Sequence, residues 1–514
     1  MRRVAAVLAG ACLAAAGCTV ANSGHGGYDL NTLRIVLPEE PPTLEPCESS
    51  LTSTGVVVRS NITEPLVERD PTTGDLGPLL ATGWRQTSPT EWTFDIRRGV
   101  TFSDGTPFTA ADAAFSIDRA VNSDLQCNVD GYVFGNDELA VSAPDDTTVV
   151  VGTNKPDPIL PLRISFVEIV PRSTSTAEKV REPIGTGPYA IERWEYGQKL
   201  VLKRNDTYWG AKPDFARAEY QWRSEGSVRA AMVVNDEADI GTSIGPEDGA
   251  GDLGVAFPNN ETTALRITGT EAPLNDIRIR QAINYSVNRT GIVKALFRGL
   301  GEPAAQLIPD GVVGHNPDLP LWPHDPEKAR QLVAEAKADG VPVETPIRLI
   351  GRTAQFPKIT ETMEVIQSEL TEAGLTVNIE MMDTAGQLQY QLQPFPENAG
   401  PFVAMIMHGN QAGDAAFSVD QYMRSDGAQN AFGTAAFDTK IDAAGELTGK
   451  QRQQAYARLF AEEPNEIAQF AYIAHMNGVL AKSARVDYQP NSATGDEMRL
   501  SDMKFAADDR TDTQ

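Results

Sequence analysis

The sequence predicts an α/β protein that is divided into separate lobes. The chain has 514 residues, more than one ordinary hydrophobic core holds, and this length suggests two to four domains. Strand-like segments cluster in the first half, whereas helix-like and strand-like segments alternate in the second half. Because these two patterns pack as different layer architectures, the halves are expected to form distinct α/β lobes.

Composition and charge exclude several classes of protein. Hydrophobic residues make up 41% and charged residues 22% of the chain, close to the averages of globular proteins and unlike disordered or multi-span membrane proteins. The formal net charge is −26, from 70 acidic against 44 basic side chains. Such a charge repels a phosphate backbone, so nucleic acid is not an expected partner. The acidity could suit a cationic ligand, but solubility is the simpler interpretation.

The N-terminus has the features of an export signal. Arg2 and Arg3 precede an apolar run that ends in small residues before Cys18. Residues 1–17 are interpreted as a signal peptide, because the run is too short to span a bilayer as an anchor. The end of this run resembles a bacterial lipobox, which implies that Cys18 is acylated and becomes the mature N-terminus. Cys12, inside the apolar run, is the alternative.

Two cysteines remain in the exported body, Cys47 and Cys127. Outside the cell an even pair is expected to form a disulfide rather than two free thiols. The closed loop contains about 80 residues, which stabilises the fold by roughly 4 kcal/mol in the chain-entropy model. The predicted disulfide is therefore Cys47–Cys127.

Short strand segments occupy much of the first half. Residues 33–37 form a strand-like run, and residues 92–96 alternate apolar and polar side chains as a half-buried strand does. Residues 147–151 form a further run of this kind. Residues 190–195 and 200–204 have the pattern of two paired strands, which predicts a hairpin.

Helix signals are concentrated later in the chain. Thr109 and Asp112 have the spacing of a capping box, which predicts a helix from residue 109 onward. A long apolar stripe predicts one continuous helix from Asp276 to near Gly299. Further helices are predicted over residues 325–340, 360–373 and 450–463, with a strand at 375–380.

Three segments carry a resemblance to a known family. The first contains residues 92–100 and 102–110, the second residues 185–189 and 208–210, and the third residues 272–283. Together they resemble the extracytoplasmic solute-binding proteins of the oligopeptide, dipeptide and nickel ABC importers. The segments follow the family's order and spacing over nearly the whole chain.

The resemblance implies a type II periplasmic-binding-protein-like fold. Two α/β lobes are joined by a hinge, an extra small domain is inserted in the first lobe, and a ligand is enclosed between the lobes. The implied bounds are a signal peptide at 1–17, a lipidated Cys and tether at 18–31, lobe I at 32–65 plus 178–268 plus 480–506, the inserted domain at 66–177, lobe II at 269–479, and a disordered tail at 507–514.

The resemblance also indicates which residues face the ligand. The loop at 48–54 matches a segment that runs along the peptide in relatives, and residues 408–414 match the place where relatives hold its amine with an Asp. Strict alignment puts Ala412 there, so Asp414 takes this role only through a two-residue shift. Arg266 is expected to bind a carboxylate or to be solvated. The candidate ligand-binding residues are Ser50, Thr52, Thr54, Arg266, His408, Asn410, Gln411 and Asp414; the alternative for each is an ordinary solvated loop side chain.

Two other chemistries have partial signals in the sequence. Residues 241–245 fit the Gly-x-Ser-x-Gly pattern of a serine hydrolase, but no convincing helix follows Ser243, so a structural loop is the preferred interpretation. The five histidines lack metal-ligand spacing, so no metal, cofactor or catalytic residue is predicted. His408 is the one histidine beside the expected cleft.

These observations predict a non-enzymatic, monomeric lipoprotein on the outer face of the cell membrane. It is expected to capture oligopeptides or dipeptides and to deliver them to the permease subunits of an ABC importer. The alternatives are a receptor for a nickel chelate, haem or a glycoside, and a secreted hydrolase that uses Ser243.

Overall fold

The computed structural model describes residues 29–135, 137–353, 355–495 and 497–507. The predicted signal peptide, Cys18, most of the tether and nearly all of the predicted tail lie outside these ranges. The strands are β1 Thr32–Leu37, β2 Val67–Arg69, β3 Leu76–Pro78, β4 Ala81–Ser88, β5 Glu91–Ile96, β6 Leu139–Asp145, β7 Thr148–Thr153, β8 Tyr189–Glu195, β9 Lys199–Arg204, β10 Arg217–Trp222, β11 Ile240–Gly241, β12 Gly254–Ile267, β13 Gly301–Pro303, β14 Ile347–Arg352, β15 Val377–Met382, β16 Phe402–Gly409, β17 Phe470–Lys482, β18 Val486–Asp487 and β19 Lys504–Phe505. The helices are α1 Thr52–Val58, α2 Ala110–Val121, α3 Leu160–Ile164, α4 Gly226–Val234, α5 Ile277–Ser286, α6 Arg289–Ile292, α7 Pro326–Ala338, α8 Ile359–Glu372, α9 Thr384–Leu388, α10 Ala415–Tyr422, α11 Ala435–Gly445 and α12 Gly449–Glu466.

One mixed sheet runs through both lobes. Its strand order is β15-β14-β16-β12-β17-β11-β1-β10-β9-β8, and β13 adds to β17. The first lobe contributes β8, β9, β10, β1 and β11, and the second contributes β14, β15 and β16. Each lobe has its own hydrophobic cluster against the sheet. The lobe I cluster includes Tyr189 and Tyr220, and the lobe II cluster includes Leu349 of β14 and Ile366 of α8.

Two long antiparallel strands, β12 and β17, connect the lobes. Next to β11, residues 254–258 pair with residues 477–481. Further along β12, residues 262–266 pair with residues 470–475, and this stretch of β12 also pairs with β16. The register shifts between these two segments, at residues 259–261 of β12. This interruption of the ladder is where a hinge between the lobes is expected.

A separate four-stranded sheet, in the order β4-β5-β7-β6, lies within residues 66–177. Helix α2 covers it, and the two share a core that includes Phe94, Ile117 and Val149. The same cluster contains Ala412 and Phe417 of lobe II, so this small unit packs against the opposite lobe. The bounds predicted for the individual domains stay a prediction.

Most predicted elements are confirmed, among them β1, β5, the hairpin β8–β9, α2, α7, α8 and α12. The capping box is present as predicted: the Asp112 carboxylate accepts from the backbone N–H of Thr109 at 2.9 Å and from its hydroxyl at 2.7 Å. Asp325 caps α7 through the N–H of Lys328 at 2.9 Å. Local hydrogen-bonding patterns therefore determine these helix ends.

The prediction of one continuous helix from Asp276 to Gly299 was wrong. Helix α5 ends at Ser286, Val287 is extended, and Asn288 caps a new short helix through the N–H of Gly291. The buried Arg289 guanidinium donates to the carbonyl oxygens of Asn284 and Val287 at 2.9 and 3.2 Å. This side chain satisfies carbonyls that a continuous helix would have bonded internally.

Candidate binding cleft

A cavity of about 310 Å³ lies beside the hinge. It is lined by the end of β1, helix α1, the loop after β11, both long strands, the C-terminal segment and one residue of lobe II. The lining residues are Leu37, Pro38, Glu39, Thr52, Ser53, Val56, Thr242, Ser243, Phe257, Asn259, Glu261, Gln411, Gly478, Val479, Leu480, Tyr488, Pro490, Asn491, Gly495, Glu497 and Met498. Its volume is at the lower end of the range of ligand cavities, about 300–1,000 Å³.

A second cavity of about 250 Å³ adjoins the first. The two share Thr52, Glu261 and Gln411. Its remaining lining residues are Ser50, Leu51, Asn128, Tyr132, Phe166 and Gly409. The shared residues come from lobe I, the hinge and lobe II, so one guest molecule that fills both cavities contacts all three parts.

The lobe I wall is tied to the small sheet unit. Cys47 and Cys127 are joined as a disulfide with their Cα atoms 5.3 Å apart. Nearby, the Ser50 hydroxyl donates to Asn128 Oδ1 at 2.6 Å. These links hold the start of α1, and with it Thr52, against the small unit. Thr54, in contrast, is buried and donates to the carbonyl of Thr43 at 3.0 Å, so it contacts neither cavity.

The hinge contributes Glu261, which the sequence interpretation missed. The carboxylate is half-buried and accepts from Asn259 Nδ2 at 2.6 Å. Burial raises the pKa of Glu261 to about 7, and the more distant Arg352 opposes that rise. The only sequence signal was an acidic residue inside the polar stretch 259–263 that precedes an apolar strand, and that pattern also fits an exposed strand end.

The end of β16 and the loop after it hold three of the predicted ligand residues, His408, Asn410 and Asp414, inside lobe II. Asp414 forms a buried ion pair with Arg452, with oxygen to nitrogen distances of 2.7 Å, and caps α10 through the N–H of Ala416. His408 Nε2 lies 2.7 Å from the Ser418 hydroxyl, and burial lowers the pKa of His408 to about 4.

Asn410 completes this buried network. Its amide donates to the carbonyl oxygens of Asn260 and Leu307 at 3.2 and 3.1 Å, and its Oδ1 accepts from Ser418 at 3.0 Å. The three side chains are thus hydrogen-bonded inside lobe II, and none of them lines either cavity, unlike what the sequence predicted. Gln411 differs, since its side chain reaches both cavities while its backbone carbonyl accepts from Arg69.

Arg266 is also buried away from the cavities. Its guanidinium donates to the carbonyl oxygens of Gln391 at 2.8 Å and Gln429 at 2.6 Å, and to that of Tyr390. Burial lowers its pKa to about 10. The expected carboxylate-binding or solvated Arg266 is therefore replaced by a side chain that holds two lobe II loops together.

The rival chemistries find little support in the geometry. Ser243 is exposed with φ of 53°, its carbonyl accepts from Arg229, and a turn and a short 3₁₀ segment follow rather than a helix. Among the described residues that line the first cavity, there is no histidine or lysine to act as a base. In the part of the chain that the structure describes, no three His, Cys, Asp or Glu side chains are grouped to hold a metal ion. Likewise, no helix in the described ranges is long and apolar enough to cross a membrane.

Comparisons with known proteins agree with this architecture. Residues 75–431 match the family described as bacterial extracellular solute-binding proteins, family 5 middle. A dipeptide-binding protein of Escherichia coli K12 is 29% identical over 354 residues, which cover 61% of this chain and 65% of the relative. A glutathione-binding protein of Salmonella choleraesuis is 29% identical over 310 residues, covering 58% of this chain and 59% of the relative. The matches thus span less than two thirds of these relatives.

Solved structures share the fold. The Helicobacter pylori protein DppA, in complex with the peptide STSA, superposes with a TM-score of 0.77 at 19% identity, covering 92% of this chain and 98% of that one. The Staphylococcus aureus protein NikA, in complex with Ni(L-His)2, gives a TM-score of 0.74 at 18% identity, with coverages of 92% and 99%. These likenesses confirm the predicted two-lobe type II fold. The match over residues 75–431 shows that the chain belongs to the bacterial extracellular solute-binding proteins of family 5.

Proposed function

We propose that this chain is the solute receptor of an ABC importer and that it captures oligopeptides or dipeptides between its lobes. The receptor closes over the solute, presents both lobes to the permease and releases the solute unchanged. It is proposed to be exported, lipid-anchored through Cys18 and monomeric. Lobe I, the inserted domain and lobe II are proposed to have the bounds given above.

The observation that carries this proposal is the pair of adjoining cavities at the hinge. Helix α1 of lobe I, Asn259 and Glu261 of the hinge and Gln411 of lobe II all contribute to their walls. A solute held there contacts both lobes and therefore stabilises the closed arrangement, since binding energy favours the state in which more contacts form. Opening at the register break of β12 would release it.

The peptide assignment is supported by two features. Relatives are described as dipeptide-binding and glutathione-binding proteins, and one structural neighbour holds a four-residue peptide. The cavity walls combine apolar side chains, such as Leu37, Val56 and Phe257, with a few polar ones, such as Thr52 and Gln411. Mostly apolar walls with a small number of polar groups that fix orientation are typical of ligand sites.

A thermal-shift screen tests the peptide assignment. Di- to pentapeptides should raise the melting temperature, because a ligand at 100 times its Kd adds about 2.7 kcal/mol of stability. Mass spectrometry of solute retained after purification should then identify a peptide. A shift with nickel–histidine complexes or haem, and none with any peptide, would contradict the peptide assignment while leaving the receptor function intact.

Lobe closure and anchoring need separate measurements. Small-angle scattering should show a smaller radius of gyration when the solute is bound, whereas identical curves with every solute would contradict the receptor mechanism. Radiolabelled fatty acid should be incorporated into the wild type and lost in Cys18→Ser, with Cys12→Ser as the control.

A hydrolase assay separates the receptor from the rival enzyme. The protein should leave peptides and ester substrates intact, and Ser243→Ala should change neither result nor the peptide-induced thermal shift. Cleavage by the wild type that disappears in Ser243→Ala would overturn the receptor proposal.

A further inference from the structure

All of the described charged side chains that line the two cavities are negative. The charged side chains in their walls are Glu39, Glu261 and Glu497, and the described lining residues include no Arg, Lys or His. These three carboxylates differ in what already neutralises them. Their surroundings decide which of them is available to a solute.

Glu497 is neutralised within the protein. It accepts from Arg499 Nε at 2.9 Å, from the Thr494 hydroxyl at 2.8 Å and from the Ser60 hydroxyl at 2.9 Å. Burial alone would raise the pKa of Glu497. Arg499 and these hydrogen bonds outweigh that effect and hold the pKa below its ordinary value. Glu39 lies exposed at the rim, where water screens its charge.

Glu261 is neither neutralised by a neighbouring cation, as Glu497 is, nor exposed at the rim, as Glu39 is. Its described partner is the amide of Asn259, and no described cation forms an ion pair with it. Arg352 acts on it only through a longer electrostatic interaction. The carboxylate also lines both cavities, so a solute that spans them passes this group. A half-buried carboxylate without a cation is stabilised by one that arrives with the ligand.

We propose that the cleft selects solutes of net positive charge and that Glu261 holds their ammonium or guanidinium group. This inference rests on the proposed function, because it concerns the same cleft. The hinge position adds a reason for closure to depend on the solute: residues 259–261 lie where the two segments of β12 change register, so a cation bound there contacts the segment that moves. An acidic solute would face the Glu261 carboxylate, and the described part of the cavity walls contains no cation to offset the repulsion.

Titration calorimetry with three peptides of equal length tests this selection. At pH 8 the wild type should bind Ala-Lys-Ala about tenfold to a hundredfold more tightly than Ala-Gln-Ala, the range for a hydrogen bond to a charged group. Ala-Glu-Ala should bind more weakly still. In Glu261→Gln the preference for the lysine peptide should fall to less than about threefold. The exposed Glu327 of α7 offers a matched charge control, and Glu327→Gln should retain the full preference.

The possible results separate this inference from the proposed function. Equal affinities for the three peptides, or an unchanged preference in Glu261→Gln, would overturn charge selection and leave peptide capture standing. Binding of no peptide would instead overturn peptide capture. Charge selection is then judged with L-lysine against L-norleucine, which lacks the side-chain amine: a thermal shift by lysine alone that Glu261→Gln abolishes supports it, and any other pattern overturns it.

Discussion

The loop at residues 408–414 and the hinge segment at residues 259–261 are neighbours with opposite electrostatic surroundings. They contact each other directly, since the backbone N–H of Asn410 donates to the carbonyl of Asn260 at 2.8 Å. In the loop, Asp414 is matched by the buried Arg452. At the hinge, the Glu261 carboxylate accepts a hydrogen bond from the Asn259 amide, and no cation among the described residues forms an ion pair with it. A carboxylate near a cleft is therefore available to a ligand only where the fold has not already supplied its cation.

The strongest test of this contrast removes the charge of Asp414. Asp414→Asn leaves the Arg452 guanidinium buried without its counter-charge, which should lower the free energy of unfolding by about 3–5 kcal/mol. Urea denaturation measures the loss. The exposed pair Arg424–Asp442 provides the control, because Asp442→Asn should cost less than about 1 kcal/mol. Equal costs for the two variants would show that Asp414 is not held as described.

A smaller loss is expected at the neutral member of the same network. Asn410→Ala removes the side-chain donor to the buried carbonyls of Asn260 and Leu307, which should lower the free energy of unfolding by about 1–3 kcal/mol. Asn235, exposed at the end of α4, is the control, and Asn235→Ala should change stability by no more than about 0.5 kcal/mol. A negligible effect of Asn410→Ala would mean that this side chain is not committed to the lobe II network.

Removing the charge of Glu261 should raise the free energy of unfolding, whereas the changes at Asp414 and Asn410 should lower it. Burial raises the pKa of Glu261 from 4.5 to about 7, so between these values the folded protein holds a proton that the unfolded chain has lost. Its contribution to stability therefore falls as pH rises through this window. Without a ligand, Glu261→Gln should be more stable than the wild type at pH 8, by about 1–2 kcal/mol because water reduces the full effect, and should show no gain at pH 4. Denaturation at both pH values measures this, and a loss of stability at pH 8 would contradict it.

The smallest effect on stability is expected at Gln411, whose side chain lines the cavities. Gln411→Ala should change the free energy of unfolding by no more than about 0.5 kcal/mol. It should weaken binding of the solute found by the thermal-shift screen by about twofold to tenfold, the value of one hydrogen bond. Gln331→Ala, on the exposed face of α7, should affect neither property. Normal binding by Gln411→Ala would remove the lobe II side from the proposed site.

Local sequence determined the elements and much of the architecture. The Thr109–Asp112 capping box, the Asp325 cap and the alternation over residues 92–96 are short-range patterns, so each predicted its element correctly. The break after Ser286 was missed because it depends on Arg289, whose guanidinium also reaches the carbonyl of Tyr472, a residue 183 positions away. Helical periodicity contains no information about such a partner.

The sequence by itself determined the family, the two-lobe fold and the acidic composition. Only the tertiary structure decided which polar side chains face the cleft. Asp414 was expected there because residues 408–414 match the place where relatives hold the peptide's amine, yet its partner Arg452 lies 38 residues later in the chain. Glu261 went unnoticed, although the fold brings it beside Thr52 and Gln411. The physical reason is that the availability of a charge depends on neighbours that are distant along the chain, and sequence position alone does not specify them.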